Sequence, residues 1–269
     1  MKALIISLMM IITPFTQQDE VYHVIKVEGT IYVASTNVQL KQGDKIKPTD
    51  QLRFASADAS ALVISNTRGK FTLQMPDDEN IFDDSQLFAM ADNAISPISG
   101  RPQLSTRNVF MAEVSRLDDY FGDDDFNIIG DELTIKLSRA AYNLDDNNYF
   151  LLKYKKGDEF ITKKPDVENN SIILRRTQYI EKSGKLESVD IFQIEKSSGS
   201  SEKITTVNLV FLNKNDLEQE FKIIVDILKE QGANKNEIND YLRDYFTDIY
   251  GKTDINSLVI LINKITSGF

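Results

Sequence analysis

The spacing of apolar positions along this chain changes character near Asn213, from a period of two to a period close to that of a helix. From Val21 to Met75, β-branched and aromatic residues alternate with polar ones in short runs. Val24, Lys26 and Glu28 stand against Ile25 and Val27, and Ile31 and Val33 continue the pattern. Alternation of this kind predicts half-buried strands, with further strands over Gln51 to Phe54, Ala59 to Ser65 and Lys70 to Met75. Gly29, Gly43-Asp44, Pro48 and Gly69 cut the runs. Lys41-Gln42-Gly43-Asp44 reads as a tight turn and Arg68-Gly69-Lys70 as a hairpin tip. Residues 21–76 are therefore expected to form a small all-β module.

Pro76 to Ser85 is acidic, and Asn93 to Gln103 is rich in Pro, Gly and Ser, so residues 77–105 read as a linker. Residues 106–269 read as a second, α+β domain. A helix is predicted over Asn108 to Phe121, where Phe110, Val114, Leu117 and Phe121 share a face and Gly122 supplies the stop. Phe126 to Ile129 and Glu132 to Leu137 flank Gly130-Asp131 and predict a hairpin. Strands follow over Tyr149 to Lys155, Glu159 to Lys163, Ser171 to Ile180, Leu186 to Glu195 and Ile204 to Leu212. Their short connections predict an antiparallel meander across residues 126–212. Residues 215–266 are expected to be helical. Asn215-x-x-Glu218 and Asn234-x-x-Glu237 have capping-box spacing, Gly232 and Gly251 are stops, and a last helix is predicted over Asp254 to Ile265.

Composition narrows the function classes. The net charge of −10 over 269 residues disfavours nucleic acid, which requires Lys and Arg to replace phosphate counterions. It also disfavours an anionic membrane surface. The chain has no cysteine, which removes disulfides, thiolate metal sites and thiol nucleophiles. Met1 to Phe15 carry one charge, Lys2, ahead of ALIISLMMIITPF. That run is shorter than the roughly 20 residues a membrane span needs. Followed by polar Thr16 to Glu20, it reads as a secretory signal over residues 1–17. The expected location is periplasmic or secreted, with no stable membrane span once the signal is removed.

One part of the β module carries a resemblance. Val27-Glu28-Gly29-Thr30-Ile31-Tyr32-Val33, Leu40-Lys41-Gln42-Gly43-Asp44-Lys45-Ile46, Asp50-Gln51-Leu52, Ala59 to Ser65 and Gly69-Lys70-Phe71-Thr72-Leu73 follow in order. Residues 24–75 thereby resemble the small β domain of the FecR-type periplasmic regulators. The whole chain also looks like a large group of exported proteins of Gram-negative bacteria in which such a module precedes a mixed α/β region. The resemblance implies the fold of that module and a periplasmic setting. Those regulators place an anti-sigma segment and a transmembrane helix before the β domain, and no match to either stands here, so sigma-factor signalling is not implied.

Candidate chemistry is sparse. His23 is the one histidine, and no nucleophile elbow, phosphate loop or dinucleotide fingerprint occurs. The acidic run Asp118 to Asp125 offers carboxylates for a hydrolase. Within it, Asp123, Asp125 and Asn127 have the odd-position spacing of a calcium loop, but Ile128 stands where that loop needs Gly and Thr134 where it needs Glu. Lys155-Lys156, Lys163-Lys164 and Arg175-Arg176 interleave with Tyr149, Phe150, Tyr154 and Tyr179. Lys155, Lys163, Arg175, Tyr154 and Tyr179 are thus candidates for binding an acidic ligand on a sheet face. The alternative for the same residues is solvated cations with the aromatics turned inward. The expectation is a non-enzymatic binding or scaffold protein of the cell envelope that uses no cofactor, its partner an envelope protein or glycan. The alternatives are a carboxylate-dependent hydrolase centred on Asp118 to Asp125 and an envelope signal sensor.

Overall fold

The computed structural model describes residues 20–65, 67–76, 88–92, 94–97, 113–180 and 184–268. The signal expected at residues 1–17 lies outside them, as do residues 108–112 of the helix expected over Asn108 to Phe121; of its described part only Leu117–Phe121 is helical, and Val114 forms a β-bridge with Leu137 instead. The fold is α+β, and the chain divides into two compact units, Met1–Pro97 and Ile98–Phe269.

The described residues of the first unit form nine strands and no helix: β1 (Tyr22–Glu28), β2 (Ile31–Val33), β3 (Val38–Gln39), β4 (Lys45–Ile46), β5 (Gln51–Phe54), β6 (Ser60–Ser65), β7 (Gly69–Gln74), β8 (Phe88–Met90) and β9 (Ile95–Pro97). They pair antiparallel in two sheets, ordered β4-β1-β6-β7-β9 and β3-β2-β5-β8. β8 and β9 fall inside the segment expected to be a linker, and each completes the edge of a sheet. The register of β1 against β6 shifts between Val24 and Lys26. Val24 and Ile25 beside that irregularity are both buried, and Val24 belongs to the apolar cluster of this unit. At Gly29 the backbone is left-handed, with φ +70°, and an added Cβ would lie 3.0 Å from both the Cα and the Cβ of Ala59. Glycine is required there by conformation and by space. The predicted turn at residues 41–44 is closed by Asp44, whose carboxylate accepts from Lys41 N–H at 2.8 Å.

The second unit opens with helix α1 (Leu117–Phe121), which ends at Gly122 with φ 71°. Ten residues of strand follow as β10 (Asp125–Ile129) and β11 (Glu132–Lys136). After them come β12 (Asn148–Lys156), β13 (Glu159–Lys163), β14 (Asp166–Glu168), β15 (Ser171–Arg175), helix α2 (Arg176–Tyr179), β16 (Gly184–Glu195) and β17 (Ser200–Leu212). Helices α3 (Lys214–Glu230) and α4 (Lys235–Ile249), strand β18 (Lys252–Thr253) and helix α5 (Ile255–Ile265) complete it, with a 3-10 turn at Thr266–Gly268. Six strands form a mixed sheet ordered β13-β12-β16-β17-β10-β18, and β11-β15-β14 form a second.

The meander is therefore broken, and the hairpin expected at Gly130 does not form. β10 lies parallel to β17 on one side and to β18 on the other, so neither of its edges remains for β11. The intervening turn is held from both directions: Gly130 N–H donates to Leu212 O at 3.0 Å, and Arg176 N–H donates to Asp131 O at 2.8 Å. β11 is thereby delivered to β15 in the other sheet. One apolar cluster joins the two sheets and α1, with Phe121, Phe126, Phe150, Leu152, Ile172 and Leu174 among its members. The strand predicted over Ser171 to Ile180 stops at Arg175, and its last residues wind into α2.

The C-terminal helices follow their apolar stripes. Asn234 and Glu237 form the capping box, with Asn234 Oδ1 accepting from Glu237 N–H at 3.2 Å and Glu237 Oε2 accepting from Asn234 N–H at 2.8 Å. The first cap differs from the expected one. Asn213 is the residue that accepts from Asn215 N–H, at 3.0 Å, and Glu218 instead lies buried with Lys264 Nζ at 2.6 Å. Glu220 is also buried, its carboxylate accepting from the hydroxyls of Tyr245 and Tyr250 at 2.8 Å each. No helix among the described residues is long and apolar enough to cross a membrane.

Candidate functional site

The hairpin of β12 and β13 presents two unlike surfaces. In an antiparallel pair, residues directly opposite share a face, and the register sets Leu152 against Lys163, Tyr154 against Ile161 and Lys156 against Glu159. This face holds Phe150, Leu152 and Tyr154, each at most 1% exposed, and it packs into the core between the two sheets. The other face carries Tyr149, Leu151, Lys153 and Lys155 of β12, with Phe160 and Thr162 of β13. The pairing of β12 with β16 adds Ile194, Phe192 and Asp190 to it, opposite Tyr149, Leu151 and Lys153 in turn.

This outer face is apolar at its centre and cationic at its margin. Tyr149, Leu151, Phe192 and Ile194 are half-buried, whereas Phe160 is 70% exposed. Two ammonium groups lie over rings: Lys164 Nζ is 4.4 Å from the centroid of Tyr149, and Lys153 Nζ is 5.0 Å from that of Phe160. Lys155 stands 3.7 Å from Asp158. Asp190, on the same face, accepts from Lys203 Nζ and from Thr206 Oγ1, both at 2.7 Å. Burial pushes its carboxyl up, but the Lys203 and Thr206 bonds outweigh that and hold it below the usual carboxylate range.

The residues singled out by sequence are divided by the fold. Lys155 belongs to the outer face. Tyr154 and Tyr179 lie in the core, 1% and 3% exposed, with ring centroids 5.8 Å apart in an edge-to-face contact. Burial, with Tyr154 and Asp166 nearby, pushes the Tyr179 phenol up, and its hydroxyl is buried without a hydrogen-bond partner. Lys163 and Arg175 are ties around α2. Lys163 Nζ donates to the Gln178 carbonyl, while Arg175 bridges Glu132 at 2.7 Å and Asp166, which also accepts from Gln178 at 2.9 Å. Sequence reading missed Lys153, Phe160 and Phe192 as members of one face, although the parity of β12 separates them from Tyr154.

Three carboxylates of the acidic run, Asp118, Asp119 and Asp125, are engaged within the fold. Asp118 and Asp119 both pair with Arg116, which holds the Asp118 carboxyl below its ordinary range. Asp123 lies in the turn before β10, whereas Asp125 and Asn127 lie within that strand and share a face. Asp125 accepts from Lys185 Nζ at 3.1 Å and from Asn208 Nδ2 at 2.9 Å. Asn127 is buried, and its amide nitrogen donates to the carbonyls of Tyr250 and Lys252 at 2.6 and 3.1 Å. A strand spaces these side chains along an extended line instead of wrapping them around an ion, and no cluster of three or more metal-binding acidic or histidine residues occurs among the described residues. His23 sits in β1, opposite Lys45 and Ile64. No family model matches the chain, and no curated protein matches it.

Proposed function

We propose that this chain is an exported, non-enzymatic binding protein of the cell envelope, and that it holds an acidic glycan on the outer face of β12, β13 and β16. The observation that carries this reading is the pairing of exposed or half-buried rings with ammonium groups on one sheet face. Flat apolar rings stack on the C–H faces of sugars, and lysines at the margin pair with uronate carboxylates. Net acidity of the whole chain confines attraction for an anion to such a local patch. The engagement of Asp118, Asp119 and Asp125 in ion pairs and hydrogen bonds supports binding over hydrolysis. The export half of the reading rests on the sequence of residues 1–17 and on the FecR-like pattern at residues 24–75.

Calorimetric titration with polygalacturonate at low salt tests the site, with neutral dextran as control. The expected result is binding to the polyuronate that weakens with added salt and no heat with dextran. In the triple variant Lys153→Glu, Lys155→Glu, Phe160→Ser, affinity should fall at least tenfold while the melting curve is retained. Equal binding by that variant, or no heat with the polyuronate, overturns the glycan assignment. The N-terminal sequence of protein recovered from the envelope tests export separately: loss of residues 1–17 is expected, and cytosolic protein beginning at Met1 overturns it.

A further inference from the structure

β13 is the outermost strand of the six-stranded sheet and pairs with β12 alone among the described residues. The opposite edge, β18, is two residues long. β11 is an edge strand of the same length as β13, but Val114 meets it: Val114 N–H donates to Lys136 O, and Val114 O accepts from Ser138 N–H. β13 is therefore a five-residue edge whose outer side pairs with no other strand among the described residues. Such an edge is a template for another strand.

The sequence of β13, Glu-Phe-Ile-Thr-Lys, is complementary to its own reverse. Laid antiparallel on a second copy and centred on Ile161, Glu159 faces the second copy's Lys163, Phe160 faces Thr162, and Ile161 faces itself. A lysine on an edge strand ordinarily repels an approaching strand of like charge; here the approaching copy presents a carboxylate at that position. Within each copy Lys156 already stands opposite Glu159. Pairing would extend this into a row of alternating charge, from Lys156 through Glu159 to the second copy's Lys163. Lys163 Nζ donates to the Gln178 carbonyl, and an ammonium has further N–H groups for the carboxylate. Phe160, 70% exposed, lies on the other side of the same strand and would be covered across the joint by Thr162.

We propose that two copies of this chain join edge to edge through β13, antiparallel and related by a twofold axis at Ile161, so that their sheets become continuous. The contact is isologous, each copy giving the same surface, and it closes at two copies. It does not depend on the glycan reading, and it would set two of the outer faces side by side, a spacing suited to a polymer.

Sedimentation velocity of the full chain without polysaccharide, over a range of concentrations, reads the association. A monomer–dimer equilibrium is expected. Glu159→Lys sets lysine against lysine and Lys163→Glu sets glutamate against glutamate, so each should raise the dimer dissociation constant at least tenfold. The exchange of both, E159K with K163E, restores opposite charges across the joint, although E159K also sets a second ammonium against Lys156 within each copy, and should recover at least threefold of the affinity lost in either single variant. Loss of the Gln178 bond is common to K163E and the exchange, so a merely structural role for Lys163 predicts no recovery. A monomer at every concentration, single variants that dimerise as well as the parent, or an exchange variant that stays monomeric would each overturn the proposal.

Discussion

Strand β12 places Phe150, Leu152 and Tyr154 in a closed apolar interior and, one residue out of step, Lys153 and Lys155 in a half-open surface beside Phe160. Both faces are aromatic, yet the rings have different work. Inside, they fill volume between two sheets and their energy is that of packing. Outside, the rings of Tyr149 and Phe160 each have an ammonium group over them and remain partly or largely open. The difference shows that an aromatic-and-lysine composition says little until strand parity divides it; one residue of register separates a core from a candidate binding surface.

The largest expected effect is on the inner face. Phe150→Ala removes a fully buried ring from the cluster shared by both sheets and should cost about 3–5 kcal/mol, read as a lower urea midpoint with an unchanged slope. Tyr179→Phe should act in the opposite direction, because it deletes a buried hydroxyl that has no hydrogen-bond partner. A gain of about 1 kcal/mol is expected, and a loss of that size would mean the hydroxyl is satisfied in solution. The smallest effect belongs to the outer face, at Asp190 and Lys203. A carboxyl held below its ordinary value of 3.8 in the folded protein stabilises the fold above that value, and the contribution is lost as pH falls through the folded value. The parent protein should therefore exceed Lys203→Met by up to about 1 kcal/mol between pH 5 and 8, the gap closing toward pH 2. Urea midpoints of both proteins across that range give the answer, and a gap that widens on acidification would contradict the assignment.

Much of the fold was legible because local chemistry decided it. β13 spans Glu159 to Lys163 as its alternation and flanking Gly157-Asp158 predict, and the Asn234–Glu237 capping box closes as its spacing predicts. Elements fixed by competition at long range were not legible. Nothing near Gly130 announces that β10 will find parallel partners at residues 208–212 and 252–253, leaving its expected hairpin mate to another sheet. Nor does the sequence around Asn215 reveal that Glu218 pairs with Lys264, 46 residues away, while Asn213 takes the cap. The candidate face was half legible. Its lysines stood out as pairs, but grouping them with the nearest tyrosines in sequence joined residues on opposite sides of one strand.

The position of β10 has a consequence for how this chain is made. Its buried Asn127 is satisfied by carbonyls at Tyr250 and Lys252, and Thr253 returns a bond to the Asn127 carbonyl from 126 residues away. A nascent chain halted on the ribosome before those residues emerge would hold a central strand with one side bare, exposed to chaperones and proteases alike. Emergence of residues 250–253 from the ribosome sets the earliest moment at which this half of the protein can lock.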